Sequence, residues 1–227
     1  MRVFLGIEPV GVACFGLALA LAGNSQAQDP GTSIAPTNHI ELFNGKDLTG
    51  WKFIARTNGD SSQTWTVTNG VIHCTGKPAG YVRTEKNYRD CKLTVEWRFV
   101  KVAPKADNTG VLVHIGEPDK VWPRCIQCQG QLGKQGDLFM MSGADCREHQ
   151  GMQGDRLPMR GPSNEKPAGE WNICEMVCAR NAVKAYFNGK LMNEATECNI
   201  SSGRIGFQSE GAEFEIRRVS LDPVEAQ

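Results

Sequence analysis

Short runs in which apolar and polar side chains alternate dominate the chain from residue 39 onwards. Successive side chains of an extended strand point to opposite faces, so this alternation is typical of strands with one buried face. Asn-Gly pairs interrupt two of the runs, Asn69-Gly70 in WTVTNGVIHC and Asn188-Gly189 in VKAYFNGKLM, and another marks a turn at Asn44-Gly45. Such pairs fit tight turns that need positive φ. The pattern therefore predicts antiparallel sheet.

Further strand candidates occupy most of the remaining chain, and stretches with helical periodicity are almost absent. They are residues 92–101, 110–115, 137–141, 171–179, 203–209 and 213–221. About a dozen short strands in one domain imply two packed antiparallel sheets. The predicted fold class is all-β, a two-sheet antiparallel jelly-roll sandwich. The segment 142–169 has no strand pattern, and we expect it to be a loop over one sheet face.

The N-terminal segment has a different pattern. Residues 1–27 carry Arg2, an apolar run over 11–22 and the small-x-small sequence Ser25-Gln26-Ala27, which together predict a secretory signal peptide. The apolar run is roughly half the length of a membrane span. A linker over 28–38, one β-sandwich over 39–222 and a tail over 223–227 complete the predicted organisation. We expect an exported protein, periplasmic or extracellular, with no membrane span in the mature chain.

Charge and cysteine content narrow the functional classes. The chain has 25 basic and 25 acidic residues, so it lacks the positive charge expected of a nucleic-acid-binding protein. Eight of its nine cysteines follow the predicted signal peptide. An even number in an exported chain predicts disulfides, at least two here, although spacing alone does not pair them. Cys125-x-x-Cys128 is half of a redox or zinc motif, but no second half completes a zinc site.

Glutamines recur at alternate positions in VWPRCIQCQGQLGKQGD, residues 121–137. In a strand, Gln127, Gln129 and Gln131 share one face, while Ile126 and Cys128 share the other. Unpaired carboxamides in a closed core cost a few kcal/mol each, whereas on an open face they offer donors and acceptors to sugar hydroxyls. A solvated edge strand also explains this row taken alone.

Polar side chains fall on one face of several other strands as well. In strand 92–101, Glu96 and Arg98 share a face, and Trp97 with its apolar neighbours lies on the other. The remaining polar positions are His114 beside Leu112, Asn172 on the side away from Trp171 and Ile173, and Gln208 beside Glu210. We expect these polar residues to line one groove together with the glutamines, where burial and neighbouring charges shift pKa values. The predicted core includes Val95, Trp97, Phe99, Ile126 and Ile173.

Motifs along most of the chain resemble those of the 3-keto-disaccharide hydrolase domain family, whose fold is a concanavalin A-like β-sandwich. They are LFNGKDLTGW at 42–51, WTVTNGVI at 65–72, LTVEWR at 93–98, NTGV at 108–111, WPRCIQCQ at 122–129, GD at 136–137, GEWN at 169–172, FNG at 187–189, GRIGFQSEG at 203–211 and IRRV at 216–219. The resemblance covers roughly 40–222. It departs at Gln127, where the family usually has Glu, and at Arg217-Arg218, where it usually has Arg-Asn.

The resemblance implies an enzyme that cleaves 3-keto-glycosides or 3-keto-disaccharides. A ketone at C3 acidifies the C2 proton, so a base can remove it while a cation holds the enolate and an acid assists departure of the C1 substituent. The expected catalytic residues are Glu96 or His114 as base, Arg98 as stabiliser and Glu210 as proton donor. Substrate contacts are expected from Asn108, Trp122, Gln127, Gln129, Asn172 and Gln208.

Two other functions fit the same sequence. A carbohydrate-binding, lectin-like module needs the amide and aromatic groups but no acid or base, and a structural domain of the cell envelope needs neither. A small carbohydrate is the expected partner. No cofactor is assigned from the sequence, and a divalent cation remains open.

Overall fold

The computed structural model describes residues 33–56, 61–100 and 108–224. These residues form fifteen strands and short 3-10 turns at Ser61–Gln63 and Arg147–His149, with no α-helix in the described ranges. The strands make two antiparallel sheets. The predicted all-β sandwich is confirmed. No helix within these ranges is long and apolar enough to cross a membrane.

Eight strands form the first sheet, sheet A. They are β1 (Ile40–Glu41), β3 (Trp65–Thr68), β4 (Val71–Cys74), β6 (Cys91–Phe99), β11 (Asn172–Ala179), β12 (Ala182–Phe187), β13 (Lys190–Ala195) and β15 (Phe214–Pro223). Their order is β13-β12-β11-β6-β15-β4-β3, and β1 also pairs with β15. The central pairs join strands far apart in sequence, so the sheet closes only when both halves of the chain are present.

Seven strands form the second sheet, sheet B. They are β2 (Trp51–Ala55), β5 (Gly80–Thr84), β7 (Gly110–Ile115), β8 (Cys125–Gln129), β9 (Leu138–Met141), β10 (Arg156–Leu157) and β14 (Arg204–Ser209). Their order is β10-β9-β8-β7-β14-β5-β2. The glutamine strand β8 therefore lies inside the sheet, between β9 and β7, and not at an edge.

Two predicted Asn-Gly turns close hairpins. Asn69 and Gly70 join β3 to β4, and Asn188 and Gly189 join β12 to β13, all with positive φ. The Asn44 side chain instead accepts hydrogen bonds from the amides of Lys46 and Asp47. This turn lies between β1 and β2, which belong to different sheets, so it is a turn without a hairpin.

The core lies between the two sheets. Val95, Phe99 and Ile126 are buried there, as predicted, and Trp97 packs edge-on against three phenylalanines. Burial of each large apolar side chain contributes about 1.5–3 kcal/mol. The prediction for Ile173 is wrong: it is 37% exposed. The neighbouring residue on β11, Asn172, points into the protein instead.

The long segment predicted to cover a sheet face closes one side of the sandwich. Its β10 pairs with β9 and forms the edge strand of sheet B. The other edge it meets is β13 of sheet A, where Arg160 N donates to Met192 O and Asn193 donates to two carbonyls of 157–158. The expected position over a sheet face is therefore wrong, because this segment satisfies hydrogen-bonding groups along two exposed edges.

Residues at the N-terminal boundary also contact the sandwich. Ile34, within the predicted linker, pairs with Tyr88 and bonds to Asn87 O and Arg89 N. The predicted signal peptide, the first part of the linker and the last three residues of the tail lie outside the described residues.

Candidate functional site

The outer face of sheet B, which points away from sheet A, carries the alternating glutamines. Ile126 and Cys128 of β8 belong to the core between the sheets. A separate small apolar cluster on the outer side contains Leu112 and Cys125. Gln127 and Gln129 share that outer side because side chains alternate along β8. The sequence thus predicted correctly which side chains of this strand share a face.

Three amide side chains meet on this face, and we call Gln127, Gln129 and Gln208 the glutamine cluster. Gln127 Nε2 donates to Gln129 Oε1 at 3.1 Å and to Gln208 Oε1 at 3.2 Å. Gln129 Oε1 also accepts from Gly130 N at 3.0 Å. These bonds join strands β8 and β14 across β7.

Gly110 of β7 makes this arrangement possible. A Cβ at position 110 would lie 2.6 Å from Gln127 Nε2, closer than real side chains approach. The Gln127 amide therefore lies over the backbone of Gly110, in space that any side chain would fill. The φ of Gly110 is not in the left-handed region, so backbone conformation does not require glycine here. The close approach of the Gln127 side chain does.

The glutamine cluster retains unused hydrogen-bonding groups. Its three side chains are at most 5% exposed. Gln127 Oε1, Gln129 Nε2 and Gln208 Nε2 make no hydrogen bond with the described part of the protein. None of the three is among the fully buried side-chain atoms that lack a partner in the described residues, so each retains contact with solvent. These groups are therefore the ones that hydroxyls of a bound molecule would satisfy most favourably.

Glu210 lies beside the glutamine cluster, just beyond the end of β14. It is two residues from Gln208, and Asn108 forms isolated bridges with Glu210 and Gly211. Asn108 Nδ2 donates to Glu210 Oε2 at 2.5 Å. Partial burial raises the pKa of Glu210, and the hydrogen bond from Asn108 opposes that rise. Within the described residues, Asn108 Oδ1 is buried without a hydrogen-bond partner.

Five predicted site residues are thus brought together at one end of the outer face of sheet B. They are Asn108, Gln127, Gln129, Gln208 and Glu210. They combine one carboxyl group of raised pKa with several neutral amides. This combination can exchange a proton with a bound molecule and hold its hydroxyls.

Glu96 and Arg98 lie on the opposite side of the molecule, so the expected common groove is wrong for both. Glu96 accepts from Arg217 Nε at 2.6 Å. Arg98 donates to Glu215 at 2.7 Å, and its guanidinium lies 4.5 Å from the Trp171 ring centroid. The physical reason is that β6 and β8 belong to different sheets. Both point their apolar faces inward, so their polar faces point in opposite directions.

His114 is also separated from the glutamine cluster, because a β-bulge interrupts the alternation of β7. Its φ is 58°, and Leu112 and Ile115 pair with residues only two apart on β14. Leu112 and Ile115 consequently share the outer face. His114 lies four residues along the strand from Gly110, roughly 13 Å away. Burial lowers the pKa of His114 to about 4, so its imidazole is neutral at physiological pH.

Asn172 has a structural position in the hairpin region of sheet A, which corrects its placement in the groove. Its Oδ1 accepts from Lys166 N at 2.8 Å and from Asn188 Nδ2 at 2.9 Å, and its Nδ2 donates to Glu170 O. These bonds keep an amide inside the sandwich at β11. The polar and apolar positions of this strand are therefore reversed relative to the prediction.

Trp122 is not brought to the glutamine cluster either. It precedes Cys125 at one end of β8, whereas Gln129 is at the other end, four residues or roughly 13 Å further along. The carbonyl of Trp122 accepts from Ser142 Oγ at 2.9 Å. Its segment is thus held at the far end of the same sheet.

The sequence reading missed a group of polar residues on the outer face of sheet B. Tyr81 of β5 pairs directly with Gln208, and its buried hydroxyl has no hydrogen-bond partner among the described residues. Arg83, two residues on, donates to both oxygens of Asp119 at 2.7 and 2.8 Å. Lys52 also pairs with Asp119. The signal in the sequence was the alternation in GYVRT, which puts Tyr81 and Arg83 on one face of the strand and Val82 on the other.

The ion pair with Arg83 keeps Asp119 ionised, and burial keeps Tyr81 protonated. Chiefly through the hydrogen bonds from Arg83, the pKa of Asp119 falls to about 2. Burial raises the pKa of Tyr81, so its hydroxyl keeps its proton at neutral pH. Asp119 belongs to the connection between β7 and β8, and its ion pairs hold that connection against β5 and β2.

Oxygen donors for a cation are limited at the glutamine cluster. Within residues 33–56, 61–100 and 108–224, no three His, Cys, Asp or Glu side chains come close enough to hold a metal ion together. Glu210 and the amide oxygens beside it are oxygen ligands of the kind that Ca²⁺ accepts. Glu210 is the single carboxylate among them.

Fold and site together define the class of protein. The two antiparallel sheets form a concanavalin A-like sandwich, and solved structures share it. A candidate glycosyl hydrolase from Parabacteroides distasonis matches with a TM-score of 0.60 and 22% identity, covering 83% of this chain and 94% of that one. A β-glucanase from Bacillus licheniformis matches with a TM-score of 0.54 and 12% identity, covering 82% and 97%.

A non-catalytic domain shares the fold as well. The carbohydrate-binding module CBM66 from Bacillus subtilis matches with a TM-score of 0.54 and 11% identity, covering 76% of this chain and 95% of that one. At these identities the likenesses show the fold alone. A comparison with curated proteins found no match.

The family is shown by a match along the sequence. The model of the 3-keto-alpha-glucoside-1,2-lyase-like domain family matches residues 38–222. The chain belongs to this family, which confirms the resemblance drawn from its motifs. The protein is therefore a domain of a carbohydrate-active family.

Proposed function

We propose that the protein cleaves 3-keto-glycosides by elimination and hydration, with Glu210 as the group that moves the proton. The observation that carries this proposal is the position of Glu210, a partly buried carboxyl group of raised pKa beside three amides with unused hydrogen-bonding groups. Membership of the 3-keto-alpha-glucoside-1,2-lyase-like family supports the choice of substrate.

The chemistry needs one proton carrier on this face. The ionised Glu210 carboxylate takes the C2 proton, which the adjacent C3 ketone acidifies. The C2–H electron pair forms the C1=C2 bond as the C1–O bond breaks. The proton on Glu210 then passes to the departing oxygen, which leaves as an alcohol. Water adds across C1=C2, placing its hydroxyl at C1 and a proton at C2, and releases the 3-keto-sugar.

A raised pKa suits this double role. A carboxylate with a higher pKa is a stronger base, and its conjugate acid still transfers a proton to an alkoxide-like leaving group. Asn108 donates to the ionised form of Glu210 and so limits the rise. Glu96, Arg98 and His114 have no part in this proposal, since the structure separates them from Glu210.

The amides position the sugar. Gln127 is neutral and cannot take up a proton at physiological pH, so it holds hydroxyls in place of the glutamate usual in the family. Gln129 and Gln208, which bond to it, present amide donors on the same face.

Carbohydrate binding without catalysis is the second candidate. The observation that favours it is the neutral side chain at Gln127, which leaves Glu210 as the one carboxyl among the predicted residues gathered on this face. A site of amides with an adjacent carboxyl group suffices for holding sugar hydroxyls. The carbohydrate-binding module that shares the fold serves as a precedent for this use of the sandwich.

Turnover of 3-keto-glucosides separates the two candidates. The purified protein is incubated with a 3-keto-glucoside carrying a chromogenic aglycone, with and without EDTA, and aglycone release is followed. We expect release by wild type and a loss of at least about 100-fold in Glu210→Gln, the low end for removal of a general base. Glu96→Gln is the matched control, since it changes a carboxylate on the opposite face.

Each outcome is informative. Binding of the 3-keto-glucoside by isothermal titration calorimetry without any turnover supports the binding module. Equal loss of turnover in Glu96→Gln and Glu210→Gln contradicts the assignment of the site to the outer face of sheet B. Sensitivity to EDTA shows that a divalent cation contributes.

We also propose export of the protein, from the signal-peptide pattern of residues 1–27. The test is fractionation of cells that express the full chain, with N-terminal sequencing of the product. Cleavage after Ala27 and recovery outside the cytoplasm are expected. Recovery of uncleaved protein in the cytoplasm contradicts the proposal.

A further inference from the structure

The thiol groups of the sandwich are not used by the proposed chemistry. All eight described cysteines are buried as free thiols. The Cys125-x-x-Cys128 motif does not work as a redox pair, because Cys125 lies in the outer apolar cluster and Cys128 in the core between the sheets. Their Cα atoms are three residues apart along a strand, roughly 10 Å, beyond the reach of a disulfide.

Cys128 instead faces a cysteine of the other sheet. Its Sγ lies 3.9 Å from Sγ of Cys174 on β11. Cys128 and Cys174 are at most 1% exposed. They are 46 residues apart in sequence and approach only because β8 and β11 pack against each other across the core.

Both strands are held in position by hydrogen-bonded neighbours on each side. Cys128 pairs with Val111 of β7 and Leu138 of β9, and Cys174 pairs with Val95 of β6 and Phe187 of β12. The sulfurs need to approach by about 1.9 Å to reach the length of a disulfide. Rotation about the Cα–Cβ bonds and a small shift of the strands supply an approach of that size.

We propose that Cys128 and Cys174 form a disulfide that joins the two sheets, made while the chain folds in the presence of a disulfide oxidant. The two thiols lose two protons and two electrons, and one S–S bond forms. The oxidant, a low-molecular-weight or protein disulfide, takes up the electrons and protons and is reduced to two thiols.

The timing follows from the environment of the pair. The hydrogen bond between the two thiols, together with burial, holds the pKa of Cys174 well above its ordinary value. Thiolate is the form that attacks a disulfide, and an oxidant cannot reach sulfurs inside the closed core. The reaction therefore occurs during folding, while the two sheets are coming together and the sulfurs are still accessible, as the chain emerges into an oxidising compartment or refolds in a redox buffer.

A second close pair provides an internal comparison. Cys91 and Cys178 are directly opposite each other on the neighbouring strands β6 and β11 of sheet A. A link there would join strands that are already paired. The Cys128–Cys174 link is different because it crosses between the sheets, whose strands do not pair with each other in the described residues.

Peptide mapping tests the proposal on the full chain. The reduced, unfolded protein is refolded in reduced and oxidised glutathione, quenched in acid, alkylated and digested with trypsin and a glutamate-specific protease. Cleavage at Arg124 and Lys134 leaves Cys125 and Cys128 in peptide 125–134, and cleavage at Glu170 and Glu175 isolates Cys174 in peptide 171–175. Mass spectrometry is expected to find these peptides linked, with fragmentation assigning Cys128.

Variants confirm the assignment. The link to peptide 171–175 is expected to persist in Cys125→Ser and to disappear in Cys128→Ser. Oxidised wild type is expected to unfold at a higher denaturant concentration than reduced wild type, and this shift should be absent in Cys174→Ser. The proposal is overturned if wild type refolds under oxidising conditions and both Cys128 and Cys174 are then alkylated when the protein is unfolded. A link between Cys91 and Cys178 without one between the sheets overturns it as well.

Discussion

Removal of the Asp119 charge is expected to destabilise the protein through its effect on Arg83. Arg83 is only 4% exposed and forms a two-point hydrogen bond with this carboxylate. In Asp119→Asn the guanidinium stays buried without a counter-charge. Loss of one partner of a buried ion pair costs about 3–5 kcal/mol, and partial exposure of Asp119 reduces the expected change to about 1.5–3 kcal/mol.

The pH dependence gives an independent check of the same pair. The pKa of Asp119 is lowered from 3.8 to about 2 in the folded protein. A carboxyl group whose pKa is lower when folded stabilises the protein above its unfolded pKa, and the contribution is lost as pH falls through the folded value. Between pH 4 and pH 2 the free energy of unfolding should therefore fall more in wild type than in Asp119→Asn.

The assay is urea unfolding followed by near-ultraviolet circular dichroism at pH 7. Lys52→Met is the control, because Lys52 pairs with the same carboxylate but its side chain is 55% exposed, and a change below about 1 kcal/mol is expected. A change below about 0.5 kcal/mol in Asp119→Asn, with the slope of the transition unchanged, refutes the reasoning.

Three further predictions concern the site and its support. Gly110→Ala should displace the amide that lies over it and weaken 3-keto-glucoside binding at least about 10-fold by calorimetry. Gly161→Ala should leave binding unchanged, since a Cβ there would meet only the flexible end of Lys190 at 4.0 Å. Asn172→Ala should lower the free energy of unfolding by about 0.5–1.5 kcal/mol in urea, since it removes hydrogen bonds from partly buried donors; an unchanged midpoint contradicts this. Burial lowers the pKa of His149, but the hydrogen bonds to Asp145 and to the Gly154 carbonyl outweigh burial and raise the pKa above 6.5. The contribution of these bonds to stability is present below pH 6.5 and is lost as pH rises through the folded pKa; amide exchange in 142–169, corrected for intrinsic rates, should become less protected as pH rises and stay constant in His149→Gln.

The fold was predictable because strand alternation and turn residues are local properties. The Asn-Gly pairs at 69–70 and 188–189 need positive φ, and the structure has it. Alternation in β8 separated Gln127 and Gln129 from Ile126 and Cys128 without knowledge of any neighbour. Family motifs along the chain supplied the sandwich type, and the match to residues 38–222 confirms it.

The candidate site was predictable only in part, because alternation tells which side chains share a face of one strand and not which sheet the strand joins. Glu96 was placed with Gln129 for that reason, and the structure puts them on opposite outer faces. Two local irregularities could not be predicted from the sequence either. A bulge at His114 and an inward-pointing Asn172 each depend on partners distant in sequence.

Solvent deuterium incorporation tests the central claim most directly. Wild type is allowed to turn over a 3-keto-glucoside in D₂O, and the 3-keto-sugar product is examined by NMR, with product incubated alone as the control for spontaneous exchange. Elimination and hydration at Glu210 predict deuterium at C2 beyond the control, formed at the rate of aglycone release and lost in Glu210→Gln. Aglycone release with protium retained at C2 contradicts the account, since it shows cleavage of the C1–O bond without removal of the C2 proton.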